Sequence, residues 1–173
     1  GLGVLVEAAP RVLADLPRTK FVIAGTGGYL ETAKRRAEEL GVASNIYFTG
    51  FIPHADRDRL FKVADVAVFP SLYEPFGIVA LEAMAARTPV VVSNVGGLAE
   101  VVTHNETGLL VYPDNPESLA WGITETLRHP DWAAARVDNA YRRVTTEFNW
   151  RRIAQQTVAV YHRIARERAL VNW

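Results

Sequence analysis

Short apolar runs alternate along this chain with longer segments of helical periodicity. The apolar runs predict strands over residues 21–24, 46–49, 66–69, 90–93 and 108–111. The periodic segments predict helices over residues 3–16, 29–40, 55–63, 76–86, 98–102, 116–129, 131–147 and 150–169. Alternation at this spacing is typical of βαβ units, so the pattern predicts an α/β fold with a parallel sheet.

The turn between the third strand and its following helix contains the most informative chemistry. Glu74 and Glu82 stand eight positions apart, with Pro75 and Gly77 between them. Pro75 suits the first position of a helix, and Gly77 lets backbone approach a ligand closely. Ligands of open α/β sheets bind beyond the carboxyl ends of the strands, which is where this turn is predicted to lie.

The amides of Phe76, Gly77 and Ile78 would point out of the predicted helix N-terminus and offer an anion site suited to phosphate. Glu82, in the first two turns of that helix, could accept hydrogen bonds from a neighbouring hydroxyl. Glu74 precedes the helix, and a carboxylate there suits a sugar attached to the phosphate rather than the anion itself. The alternative is that both glutamates are ordinary charges at a helix start, where the helix dipole favours them.

Composition narrows the class of protein. The 173 residues fit one domain, and a hydrophobic content of 49% suffices for a core. The 19 basic and 19 acidic residues balance, which argues against a nucleic-acid-binding protein. Cysteine is absent, the four histidines lack a metal-ligand spacing, and no apolar run approaches the length of a membrane helix. The sequence therefore predicts no metal and no transmembrane segment.

The glutamate pair with Pro-Phe-Gly inside it resembles the donor-binding half of retaining glycosyltransferases with two Rossmann-like domains, the glycosyl transferases group 1 of GT-B fold. Further segments resemble the family in the same order, at residues 24–27, 48–53, 64–71, 88–93, 96–102, 106–111 and 148–150. The resemblance implies a Rossmann-like three-layer sandwich with a parallel sheet. It makes residues 1–173 a C-terminal nucleotide-sugar-binding domain.

The resemblance also implies roles for the residues of the turn. Glu74 would contact the donor sugar and be needed for transfer, and Glu82 would hold the ribose hydroxyls. The amides of Phe76, Gly77 and Ile78 would bind the distal phosphate. No cofactor is implied, because the nucleotide-diphosphate sugar is a substrate.

Four loops would frame the rest of the donor site. By resemblance, Gly96 and Gly97 lie near the donor sugar and phosphate, and Gly25 lies in a turn near the nucleotide. Phe51 and Tyr73 would lie near the base. The alternatives are plain turns at the glycines and buried packing of the two aromatic rings. A dinucleotide fingerprint is excluded at the first turn, since position 30 is leucine.

The Pro after Glu74 and the Gly-Gly-Leu downstream look most like glycogen and starch synthases. This similarity implies glucose transfer from ADP- or UDP-glucose to an α-glucan. Two alternatives stay open: a mannosyl- or sucrose-type transferase with another nucleotide sugar, and a non-catalytic module that binds nucleotide.

By the same resemblance, the chain is expected to be a fragment of a longer protein. The absence of cysteine is compatible with the cytoplasm, which is the expected location. A first strand, an Arg and a Lys that clamp the diphosphate, and an N-terminal domain that binds the glycan acceptor would all precede this chain. The fragment alone is therefore expected to be inactive. The last predicted helix has an apolar stripe that would contact the absent domain; without it, we expect exposed apolar surface and self-association.

Overall fold

The computed structural model describes residues 1–170, which form eight α-helices and five β-strands. The strands are β1 (Phe21–Ala24), β2 (Ile46–Gly50), β3 (Ala67–Phe69), β4 (Val90–Ser93) and β5 (Leu109–Val111). The helices are α1 (Leu2–Asp15), α2 (Leu30–Glu39), α3 (His54–Val63), α4 (Ile78–Ala85), α5 (Gly96–Val101), α6 (Pro116–Arg128), α7 (Pro130–Glu147) and α8 (Trp150–Leu170). All predicted elements are present, and their ends differ from the prediction by at most two residues.

The strands pair in parallel, as the alternation predicts. They form two sheets rather than one: β1 pairs with β2, and β3, β4 and β5 form a second sheet with β4 in the centre. Every residue of β4 is buried, which fits its continuous apolar sequence. The carboxyl ends of the strands carry the loops that contain the predicted site residues.

One apolar cluster joins the two sheets. Helix α1 packs mainly on α6, and its buried residues share a core with Phe21 of β1 and Val91 of β4. A second cluster lies beneath α4, where Ala80, Ala83 and Met84 pack against β4 and α5. Helix α4 is thus held by its buried face, and this fixes the position of the turn at its N-terminus.

Two helix ends have the predicted local chemistry. Asn115 caps α6, its side-chain oxygen accepting the amide of Ser118 at 2.8 Å. Gly41 follows α2 with a φ of +70°, and the next amide, of Val42, donates to the Ala37 carbonyl at 2.9 Å. These contacts end the helices where the sequence predicts.

The start of α4 differs from the prediction. The helix begins at Ile78, so Pro75 lies three residues before it and not at its first position. Gly77 is the reason, because its φ of +94° is a left-handed conformation that cannot continue a right-handed helix. The left-handed glycine turns the chain sharply just before the helix.

Helix α8 lies exposed along its described length. Its apolar stripe, Ile153, Val160, Tyr161 and Ile164, faces solvent, which confirms the predicted exposed apolar surface. Self-association stays a prediction. Within residues 1–170, no helix combines the length and the apolar character needed to cross a membrane.

Candidate functional site

Two loops meet at the carboxyl end of the three-stranded sheet. One connects β3 to α4 and contains Glu74; the other connects β4 to α5 and leads into Gly97. The Gly97 amide donates to the backbone carbonyl of Glu74 at 2.9 Å. This hydrogen bond joins the glutamate turn to the Gly-Gly turn, which the sequence places 22 positions later.

The two glycines that begin α5, at the end of the second loop, are both needed for this close approach. A Cβ on Gly96 would lie 2.1 Å from the Glu74 carbonyl oxygen, and Gly96 has a φ of +43°. A Cβ on Gly97 would lie 2.3 Å from Cα and O of Phe76. The two loops therefore pack backbone against backbone, and the turn has a structural purpose whether or not it binds a ligand.

The Glu74 side chain folds back onto its own turn. Its Oε1 accepts the Gly77 amide at 3.2 Å. That amide belongs to the phosphate site predicted from the sequence, so the expectation of three free amides is wrong for Gly77 in this state. A carboxylate already occupies the position, as expected for an amide beside a helix N-terminus, where negative charge is favoured.

Glu82 lies one turn into α4 and faces α3. Its Oε1 accepts a charged hydrogen bond from Arg57 Nη2 at 2.9 Å. The other oxygen, Oε2, is buried and has no hydrogen-bond partner among residues 1–170. Among residues 1–170, only one of the two oxygens of the Glu82 carboxylate therefore has a hydrogen-bond partner.

The remaining predicted residues lie at the same edge of the strands. The Gly25 amide, after β1, donates to the carbonyl of Gly50 at 2.8 Å, and Phe51 follows directly. Phe51 is 76% exposed and Tyr73 is 83% exposed, so the alternative of buried packing is wrong for both rings. Gly25 has a φ of +136° and nothing within 4 Å of a Cβ position, which makes it a true open turn.

Phe76 and Ile78 flank the left-handed glycine on the surface. Both side chains are exposed, and the Phe76 ring meets Phe148 edge to face at 6.4 Å between centroids. This contact brings the 148–150 segment, singled out by resemblance, against the glutamate turn. The contribution of the Phe76 and Ile78 amides to a phosphate site stays a prediction.

The structure therefore brings six of the ten predicted residues together in two groups. Glu74, Gly77, Gly96 and Gly97 form one connected group, and Gly25 with Phe51 forms another at the ends of β1 and β2. Arg57 is the residue that sequence reasoning missed. It stands 25 positions before Glu82 in a helix rich in charges, so no local pattern separates it from its surface neighbours.

The chain is similar in sequence to known proteins over most of its length. Residues 1–143 match the family described as Glycosyl transferases group 1. Among curated relatives, the chain is 46% identical over 163 residues to an uncharacterized glycosyltransferase of Methanocaldococcus jannaschii, covering 93% of the chain and 41% of the relative. It is 39% identical over 156 residues to a glycogen synthase of Mycobacterium tuberculosis, covering 90% and 38%.

A GDP-mannose-dependent phosphatidylinositol monomannoside mannosyltransferase of the same bacterium is 35% identical, covering 89% of the chain and 42% of the relative. The chain spans about two fifths of the length of these relatives.

Solved structures show the same fold. Sucrose-phosphate synthase from Thermosynechococcus elongatus superimposes with a TM-score of 0.80 at 33% identity, covering 96% of this chain and 44% of that one. The Anabaena protein HepE in complex with UDP-glucose superimposes with a TM-score of 0.83 at 27% identity, covering 92% and 44%. Such neighbours are GT-B glycosyltransferases, and this chain matches less than half of each. The chain belongs to the glycosyl transferases group 1 family.

Proposed function

We propose that this chain is the donor-binding part of a retaining glycosyltransferase. The observation that carries the proposal is the joined pair of loops around Glu74. One loop offers its carboxylate and the Gly77 amide, and the other approaches through Gly96 and Gly97 at the carboxyl end of the sheet. An anion-binding amide beside a carboxylate suits a ligand with a phosphate and a sugar next to each other.

Glu74 and Glu82 take different parts of the donor in this proposal. Glu82 accepts hydrogen bonds from the ribose hydroxyls, and Glu74 accepts a hydrogen bond from a hydroxyl of the transferred sugar. The Glu74 carboxylate now holds the Gly77 amide at 3.2 Å, so the distal phosphate of the donor would compete for that amide. In the proposal a phosphate oxygen takes the Gly77 amide at the helix N-terminus in place of the carboxylate, and this frees Glu74 to turn toward the sugar.

Glucose on ADP or UDP is the donor that we propose, with an α-glucan as acceptor. Support comes from the glycogen synthase relative, and from the Pro after Glu74. The mannosyltransferase relative supports the alternative of a GDP-linked donor, at slightly lower identity. Transfer itself requires donor and acceptor held together in a closed cleft, so we propose that these 173 residues alone bind donor without transferring its sugar.

Calorimetric titration with ADP, UDP and GDP, each alone and as its sugar conjugate, tests the proposal. Binding of ADP or UDP that strengthens when glucose is attached would support a glucosyl donor. Preference for GDP and GDP-mannose would move the donor to the mannosyl type. No binding of any nucleotide at about 1 mM, a binding free energy weaker than about −4 kcal/mol, would contradict the proposal for this chain.

A further inference from the structure

The ion pair between Arg57 and Glu82 joins α3 to α4 beneath the candidate site. Arg57 Nη2 lies 2.9 Å from Glu82 Oε1, and the two side chains are 24% and 30% exposed. The pair is therefore partly withdrawn from water, and it is screened less than a pair of fully exposed charges. Breaking such a pair leaves the other charge without compensation.

Arg57 is itself anchored by its own helix. The same Nη2 donates to Asp58 Oδ1 at 3.0 Å, and Nε donates to that oxygen at 3.3 Å. The guanidinium thus contacts the carboxylates of both Asp58 and Glu82. Its planar set of donors favours one orientation of a carboxylate more strongly than a lysine ammonium does.

The two oxygens of Glu82 have different surroundings. Oε1 gives one of its lone pairs to Arg57 and keeps the other, while Oε2 is buried without a partner among residues 1–170. A buried carboxylate oxygen without a hydrogen bond carries a cost in free energy. Oε2 is closed to solvent in this state, so the free lone pair of Oε1 is the acceptor that a ribose hydroxyl meets first, and Oε2 becomes available only when the side chain turns outward.

We infer that Arg57 is a positioning residue for ribose recognition. The inference rests on the proposed role of Glu82 as the ribose acceptor. Arg57 fixes the orientation of the carboxylate, and its charge offsets the repulsion between Glu82 and the phosphates of a nucleoside diphosphate. In this orientation the free lone pair of Glu82 Oε1 is the acceptor that Arg57 leaves for the ribose 2′- and 3′-hydroxyls.

The test compares a ribonucleotide with its deoxy form, because only a role at the ribose changes their ratio. Wild type, Arg57→Leu, Arg57→Lys and Arg59→Leu are titrated with UDP and 2′-deoxy-UDP, and with ADP and 2′-deoxy-ADP. Arg59 is the matched control: it lies two residues further along α3, its side chain is 79% exposed, and it pairs only with Asp56 among residues 1–170. Thermal unfolding of each variant reports whether the fold is intact.

We expect Arg57→Leu to weaken ribonucleotide binding about tenfold and to lower the preference for ribose over deoxyribose by a similar factor. Arg57→Lys keeps the charge without the planar donor set and should keep only part of the preference, and Arg59→Leu should match wild type. If Arg57→Leu does not fold, Arg57→Gln, which keeps a donor without the charge, carries the same test.

The outcomes separate the inference from the proposed function. Wild type that binds none of the four nucleotides contradicts the proposed function, and the inference with it. Wild type that prefers ribose while Arg57→Leu keeps that preference overturns the inference alone. Tighter ribonucleotide binding by Arg57→Leu also overturns it, because Arg57 would then be holding Glu82 away from the ligand.

Discussion

Replacing Gly97 by alanine should push apart the two loops that form the candidate site. The new Cβ would lie 2.3 Å from Cα and O of Phe76 and 2.4 Å from its carbonyl carbon. These are backbone atoms, which cannot rotate away as the end of a side chain can. Restoring an ordinary carbon contact requires a separation of the loops of about 1 Å.

Two opposing terms set the size of the effect. Forcing an extra methyl group into a packed contact costs about 1–3 kcal/mol. Gly97 lies in α5, where alanine is the better helix former by about 1 kcal/mol, and this offsets part of the cost. Because the obstructing atoms are backbone, the cost lies in the upper part of that range, about 2–3 kcal/mol. The net loss of about 1–2 kcal/mol lowers the melting temperature of a domain of this size by about 2–8 °C.

Gly28→Ala is the matched control for the assay. A Cβ on Gly28 meets nothing within 4 Å, so this change adds the same methyl group in open space. Thermal unfolding and UDP titration of the two variants should differ: Gly97→Ala melts lower and binds UDP more weakly, because the shift moves Gly77 and Glu74. Equal melting temperatures and equal affinities in the two variants would refute the close approach as described.

Two further predictions concern stability away from the site. Asn115→Ala removes the side-chain acceptor for the Ser118 amide and should cost about 1 kcal/mol in chemical denaturation; an unchanged denaturation midpoint would show that the cap adds nothing. Arg36 donates from Nε and Nη2 to the two oxygens of Glu7, and these hydrogen bonds lower the pKa of Glu7 below its ordinary value of 4.5. The contribution of the ionised Glu7 carboxylate to the free energy of unfolding is therefore complete above pH 4.5, and it is lost as the pH falls through the lowered pKa of Glu7. Glu7→Gln should be less stable than wild type at pH 7, and the difference should shrink at pH 3; a difference that does not change with pH would argue against this ion pair.

The order of helices and strands could be predicted from the sequence because it depends on local periodicity and end signals. Asn115 and Gly41 act through neighbours within a few residues, and both behave as predicted. The predicted start of α4 was wrong because Gly77 adopts a left-handed conformation next to α5. A Cβ on Gly77 would lie 3.0 Å from the side chain of Leu98. Such a contact leaves no local pattern in the sequence.

The part of the candidate site that lies at the ends of β3 and β4 could be predicted from the sequence. Glu74, Gly77, Gly96 and Gly97 meet as expected, since loops at the carboxyl ends of neighbouring parallel strands share an edge of the sheet. The hydrogen bond from the Gly77 amide to Glu74 and the ion pair between Arg57 and Glu82 could not be predicted. Both depend on which rotamer a charged side chain adopts against a neighbour, and periodicity does not encode this choice.

Titration of wild type, Glu82→Ala and Glu74→Ala with UDP and with UDP-glucose tests the central claim, the division of labour between the two glutamates, most directly. Glu82→Ala should weaken the binding of both ligands by about 1–3 kcal/mol, because both contain the ribose. Glu74→Ala should leave UDP affinity unchanged or slightly raised, because the Gly77 amide loses its competing carboxylate, and should remove the extra affinity that the attached glucose confers. Equal losses of UDP affinity in the two variants would contradict this account of the site.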